Sequence, residues 1–194
     1  AFSRIGDALI EHAEQWTRNE IGKLPNGTYE FEDFFEDDGV VAKPYTVRSK
    51  VEIMDDEIIV DLSGSDAQAL GPINVTYVAT AAAGCTAVLQ SINARDVPLN
   101  SGCFKPIKVV APPGTVVNPV FPAPSVAGNT EGQPRVITAV QGALAKAVPE
   151  RVGAAEGGSA CNLLLGGVHP DTGEFYTHYQ LDGGGWGGRR AMDG

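Results

Sequence analysis

The sequence predicts a mixed α+β fold with an antiparallel sheet, two buried helices and crossings rich in proline and glycine. Three observations lead there. Between residues 28 and 63 apolar and polar side chains alternate, the period of strands with one buried face. Residues 76–92 carry no charged side chain, and 134–148 space their apolar groups as a helix does. Seven of the thirteen prolines fall between Pro98 and Pro124, where fixed φ angles predict a long segment without helix.

Taken in order, Ser3 to Gly22 reads as an amphipathic helix with Ile5, Ala8, Leu9, His12, Ala13 and Trp16 on one side. Ser3 is placed to cap it and Gly22 to end it. His12, on or near that stripe, reads as a partly buried packing residue. Leu24-Pro25-Asn26-Gly27 is a turn into a strand over Thr28–Phe35. Tyr45–Met54 and Glu57–Ser63, joined at Asp55-Asp56, read as an antiparallel hairpin. Ser63-Gly64-Ser65 lacks the spacing of a nucleophile elbow and reads as a loop. Thr76–Ile92 is a buried helix in which Gly84 marks a close approach. Pro134 opens a second helix to Val148, ended by Pro149. Short strands are expected at Val152–Ala155, Cys161–Leu165 and Phe175–Leu181. The run Gly183-Gly184-Gly185-Trp186-Gly187-Gly188 lacks the lysine of a P-loop. It reads either as an anion-binding nest of backbone N–H groups or as a contact loop. Two subdomains, 1–70 and 71–194, are expected.

Composition narrows the function. Net charge is −10, and residues 1–66 hold sixteen acids against six bases. Nucleic acid is therefore excluded as a partner, because phosphate binding needs a basic face. The acids Glu30, Glu32, Asp33, Glu36, Asp37 and Asp38 match no cation-loop spacing and read as a solvated face. No apolar run is long enough to cross a membrane. Cys85, Cys103 and Cys161 are odd in number and lack metal spacing, which predicts reduced thiols and a cytoplasmic location.

The stretch from Asp96 to Arg135 organises the chain. It contains Pro98-Leu99-Asn100-Ser101-Gly102, then Pro106-Ile107-Lys108-Val109, Pro112-Pro113-Gly114-Thr115-Val116-Val117-Asn118-Pro119, Pro122-Ala123-Pro124-Ser125-Val126 and Gly128-Asn129-Thr130-Glu131. On residue chemistry it is either a rigid buried crossing or the wall of a site. In this order, with Leu24-Pro25-Asn26-Gly27-Thr28-Tyr29, Val60-Asp61-Leu62-Ser63-Gly64-Ser65 and Gly71-Pro72-Ile73-Asn74 before it and the glycine-rich run after it, the chain resembles the hydantoinase B/oxoprolinase family along nearly its whole length.

That resemblance implies a B-type subunit of an ATP-dependent cyclic amide hydrolase, of the hydantoinase or 5-oxoprolinase kind. The alternatives are part of a ketone carboxylase subunit, or a scaffold region without catalytic residues of its own. It also implies an A-type partner that binds ATP and Mg and phosphorylates a lactam, hydantoin or ketone substrate on oxygen. Family members are longer and carry a His/Asp-rich amino-terminal segment where a divalent metal is expected. This sequence has no match to that segment, so an internal fragment, inactive alone, is expected, with no metal ligand and no cofactor of its own. The polar residues expected to face a site are Asn100 and Asn129 for substrate binding and Glu131 and Arg135 for catalysis. Arg135, at the start of a helix, is placed to hold an anion. Glu131, four residues earlier, would orient it or act as a base. The competing structural account is a Glu131–Arg135 ion pair that caps the helix.

Overall fold

The computed structural model describes residues 2–92, 99–190 and 192–194. Asp96, Val97 and Pro98 of the central stretch, and the capping role expected of the Ser3 side chain, lie outside what is described.

One four-stranded sheet holds the fold together. Its strands run in the order β1 (Gly27–Phe35), β2 (Tyr45–Met54), β3 (Glu57–Asp61) and β4 (Ile107–Val110). The first three are antiparallel, as the alternation predicts, with Met54 opposite Glu57 across the tight turn. Asp55 takes a positive φ of 53° in that turn. The Asn26 side chain clasps it, accepting from Asp55 N at 2.8 Å and donating to Asp55 Oδ1 at 2.9 Å.

The expectation that the central stretch holds no helix is corrected by two short helical turns, beside which the stretch carries one strand, β4. β4 pairs parallel to β3; the turns are a 3₁₀ turn at Ser101–Phe104 and a π-helical turn at Gly128–Gly132. Proline restricts only its own φ and the residue before it. Even Lys105, just before Pro106, adopts αR angles (φ −57°, ψ −40°). Its amide bonds Gly102 O at 3.2 Å. The division expected near Gly71 is crossed by the sheet, since β3 precedes it and β4 follows it. One apolar core draws Val47, Val51, Ile58 and Val60 from one side, and Ala87, Val88, Val136 and Leu144 from the other.

Three helices complete the fold: α1 (Phe2–Ile21), α2 (Tyr77–Ser91) and α3 (Gln133–Ala147). α2 and α3 pack on each other, α3 against β1 and β2, and α2 against β4. α2 buries Thr80, Ala83, Gly84, Ala87, Val88 and Leu89, which explains its lack of charge. A side chain at Gly84 would press on Val109 Cγ2 at 3.0 Å. A Cβ at Gly142 of α3 would collide with the Phe31 ring at 2.3 Å. Near the end of α3 the Lys146 ammonium donates to the Glu30 carbonyl on the outer edge of β1.

Only the second half of α1 is buried, through Ala13, Thr17 and Ile21. His12 is exposed, so the packing role expected of it is wrong: Ile5 and Leu9 on the same stripe also face solvent, at 60% and 50% exposure. A second correction concerns residues 152–155, which form no strand; they run beside the glycine-rich segment, with Ala154 N donating to Gly188 O at 2.8 Å. Glycine-rich backbone loses more entropy on ordering and offers no side chains for a ladder to pack. β5 (Ala160–Val168) and β6 (Phe175–Gly183) form a separate antiparallel hairpin. Nearly every residue of it is exposed. Among the described residues no helix is long and apolar enough to cross a membrane.

Candidate functional site

A cavity of about 380 Å³ opens where β1 ends and α3 begins. Its polar lining is Asp33, Glu36, Asp37, Glu131 and Arg135, with Ile73 as an apolar wall. Strand parity brings Asp33 there. It shares the odd-numbered face of β1 with Phe35, whose side chain is buried. α3 delivers Arg135 in its first turn, beside Pro134. The π-helical turn supplies Glu131, held tight by Gly128 and Gly132. A Cβ at Gly128 would meet Asn74 O at 2.4 Å, and one at Gly132 would meet Val75 Cγ2 at 2.3 Å.

The expected Glu131–Arg135 pair does not form. Arg135 Nη1 instead lies 3.3 Å from Asp33 Oδ2, with both side chains mostly covered. Glu131 Oε1 accepts a hydrogen bond from Ser159 Oγ at 2.9 Å. The π-helical turn weakens that pairing without preventing it: an i→i+5 turn carries an extra residue, so positions four apart no longer stack as they do on an α-helix, yet both side chains still line one cavity. Gly158, with φ +65°, lies against the Arg135 guanidinium; a Cβ there would be 3.2 Å from Nη1.

Of the other two residues singled out in the sequence, neither lines the cavity. Asn100 caps the 3₁₀ turn, accepting from Gly102 N at 2.8 Å and donating to Leu9 O at 3.2 Å. Its role is to fasten that turn to α1. Asn129 is exposed on the π-helical turn.

The rim of the cavity is pinned by Asp38, which is not a solvated acid but a buried one. Oδ1 accepts from Val40 N and Val41 N at 2.9 and 2.6 Å; Oδ2 accepts from Tyr45 Oη and Gly71 N at 2.7 and 2.9 Å. Burial opposes its charge, but the bonds from Val41, Gly71, Tyr45 and Val40 outweigh that and hold the carboxyl well below the usual carboxylate range. Burial first, and then the bond to Asp38, push the Tyr45 phenol up to about 12. Asn74, fully buried, braces the same rim: its amide nitrogen reaches the carbonyls of Ala69, Gly71 and Pro124.

Asp33, Ser159 and Asp38 were missed from sequence as shapers of the site. The parity of Asp33 on its strand was a readable signal. So was Asp37-Asp38-Gly39, a turn sequence in which a carboxylate bonds backbone amides ahead of it. The Ser159 contact, 28 residues from Glu131, left no local signal. The glycine-rich run is not a nest. The glycines with positive φ among the described residues are Gly27, Gly39, Gly114, Gly158 and Gly173, and a nest needs alternating αR and αL angles. No group of three or more His, Cys, Asp or Glu able to hold a metal ion is gathered among the described residues.

The fold is a mixed α/β domain whose sheets are dominated by antiparallel pairing. The chain belongs to the hydantoinase B/oxoprolinase family, which it matches over residues 1–194. It is 33% identical over 199 residues to a protein of a Pseudomonas strain described as the B-type component of a D-/L-hydantoinase, covering 97% of this chain and 33% of that one. The fold matches the crystal structure of the ATP-dependent caprolactamase of Pseudomonas jessenii with a TM-score of 0.72 and 25% identity, over 87% of this chain and 29% of that one. It matches nucleotide-free acetone carboxylase with a TM-score of 0.73 and 19% identity, over 92% of this chain and 26% of that one, a likeness of fold alone. The chain spans 30% and 33% of the length of two curated relatives it matches.

Proposed function

We propose that this chain walls the site at which a B-type subunit opens an activated cyclic amide with water. The supporting observation is the separation of charges in the cleft. Arg135 is seated on Asp33, whereas the contact made by Glu131 is with a neutral hydroxyl. Four carboxylates and one guanidinium line the cavity. A cyclic amide phosphorylated on oxygen and protonated at its ring nitrogen presents an N–H donor beside phosphoryl oxygens. The carboxylates suit the donor, while Arg135, at the positive end of α3, suits the oxygens. Glu131 takes a proton from the attacking water.

The phosphorylation that activates the amide belongs, in this reading, to an A-type partner carrying ATP and Mg, in the cytoplasm where ATP is supplied. The test is Glu131→Gln in the full-length subunit assembled with its partner. Turnover of a hydantoin or lactam should fall at least about 100-fold with assembly intact. Unchanged turnover overturns the proposal. ATP-dependent carboxylation of a ketone without lactam opening would point to the carboxylase class instead.

A further inference from the structure

We infer that Ser159 is a positioning residue that keeps Glu131 and Arg135 apart, an inference that rests on the reading of the cleft above. Ser159 sits between two fixed points. Before it, Gly158 is buried in a left-handed conformation against the guanidinium of Arg135. After it, Ala160 begins β5. The hydroxyl has one proton. At 2.9 Å from Glu131 Oε1 that proton is committed to the carboxylate, which can only accept. The Cys161 thiol, 3.4 Å from the same hydroxyl, then donates to the serine oxygen, and a chain of donors runs Cys161 to Ser159 to Glu131.

Glu131 and Arg135 are opposite charges on the wall of one cavity, four residues apart. Left free, the carboxylate would turn to the guanidinium. The base would be lost to an ion pair, and Arg135 would be shared between two acids. A neutral donor that holds the carboxylate elsewhere prevents this without removing its charge. Ser159 thus acts through Glu131 and need not touch substrate.

The test uses the full-length subunit assembled with its partner and follows lactam or hydantoin opening in four proteins: the parent, Ser159→Ala, Glu131→Gln and the double variant, with Ser159→Thr as rescue. Ser159→Ala should lower kcat about tenfold with KM unchanged, as expected for loss of a hydrogen bond to a charged group. Ser159→Thr should restore most of it. In the Glu131→Gln background, Ser159→Ala should have no further effect. Full activity in Ser159→Ala while Glu131→Gln is inactive overturns this inference and leaves the cleft reading standing. So does a loss that adds to that of Glu131→Gln, which would mark a general structural role. Full activity in Glu131→Gln removes the cleft reading and this inference with it.

Discussion

Arg135 at the first turn of α3 and Asp33 near the end of β1, 102 residues apart in the chain, meet at 3.3 Å. The pair joins helix to strand at the mouth of the cleft and fixes the direction of the guanidinium. Arg135→Lys keeps the charge but loses the planar fork. Under the proposed function, in the full-length subunit assembled with its partner, it should lower turnover about tenfold or more while folding and assembly stay normal. Unchanged turnover would assign Arg135 to structure alone.

Two glycines give a graded test of packing. A Cβ at Gly71 would fall 1.7 Å from the backbone oxygen of Asp38, whereas one at Gly142 meets the Phe31 ring. Phe31 is 40% exposed and can swing outward; the Asp38 carbonyl cannot. Gly71→Ala should therefore cost about 3 kcal/mol or more and Gly142→Ala about 1. Urea titration of both variants checks the order, and a reversed order would contradict the geometry.

The Asp38 carboxyl gives stability a sign with pH. Its folded pKa lies below the unfolded value of about 3.9. Its contribution is fully present above that value and is lost progressively as pH falls below it. Tyr45 is the reverse case: raised to about 12 when folded, it contributes fully below about pH 10 and loses that contribution as pH rises through 10 to 12. Asp38→Asn should destabilise the chain at neutral pH and flatten the acid limb, so the two melting curves converge toward low pH. Curves that remain parallel would exclude the mechanism.

Asn74 contributes a braced rim. With its amide nitrogen facing three carbonyls and its oxygen accepting from Ala69 N at 2.8 Å, Asn74→Ala should cost about 2–4 kcal/mol through buried groups left unsatisfied. A thermal melt unchanged in the variant would refute the brace.

The β5–β6 hairpin should behave as a unit apart from the core. It is a lone two-stranded ribbon, a marginal structure in water. It exposes Leu164, Phe175 and Tyr179 at 68%, 74% and 61%. Limited proteolysis of the isolated chain should cut at 169–174 before it cuts the sheet. Core fragments released first would be the contrary result.

How far the sequence could be read follows from where each signal lies. Alternation found β1, β2 and β3, and Gly84 was identified as a close approach because an uncharged helix has to press on something. β4 escaped notice because four residues among prolines carry little period of their own, and parallel pairing with β3 is a long-range fact. At the site, Glu131 and Arg135 could be named because they stand together in the chain. Their actual partners could not, because an i→i+5 turn weakens their pairing and each finds its partner on a distant segment. His12 misled because a helical stripe shows which residues could be buried, not whether this chain supplies the cover for both of its halves.

Lys146 carries a consequence for association. β1 is an outer strand, and an outer strand offers free carbonyls to any passing chain. The ammonium of Lys146 occupies the one at Glu30 and stands 5.9 Å from the centroid of the Phe31 ring. An incoming strand would have to strip a cation from its acceptor and then lie beside Glu30 and Glu32. The sheet is stoppered at that margin by charge, and stacking of one molecule on another through β1 is discouraged without any further element to cover it.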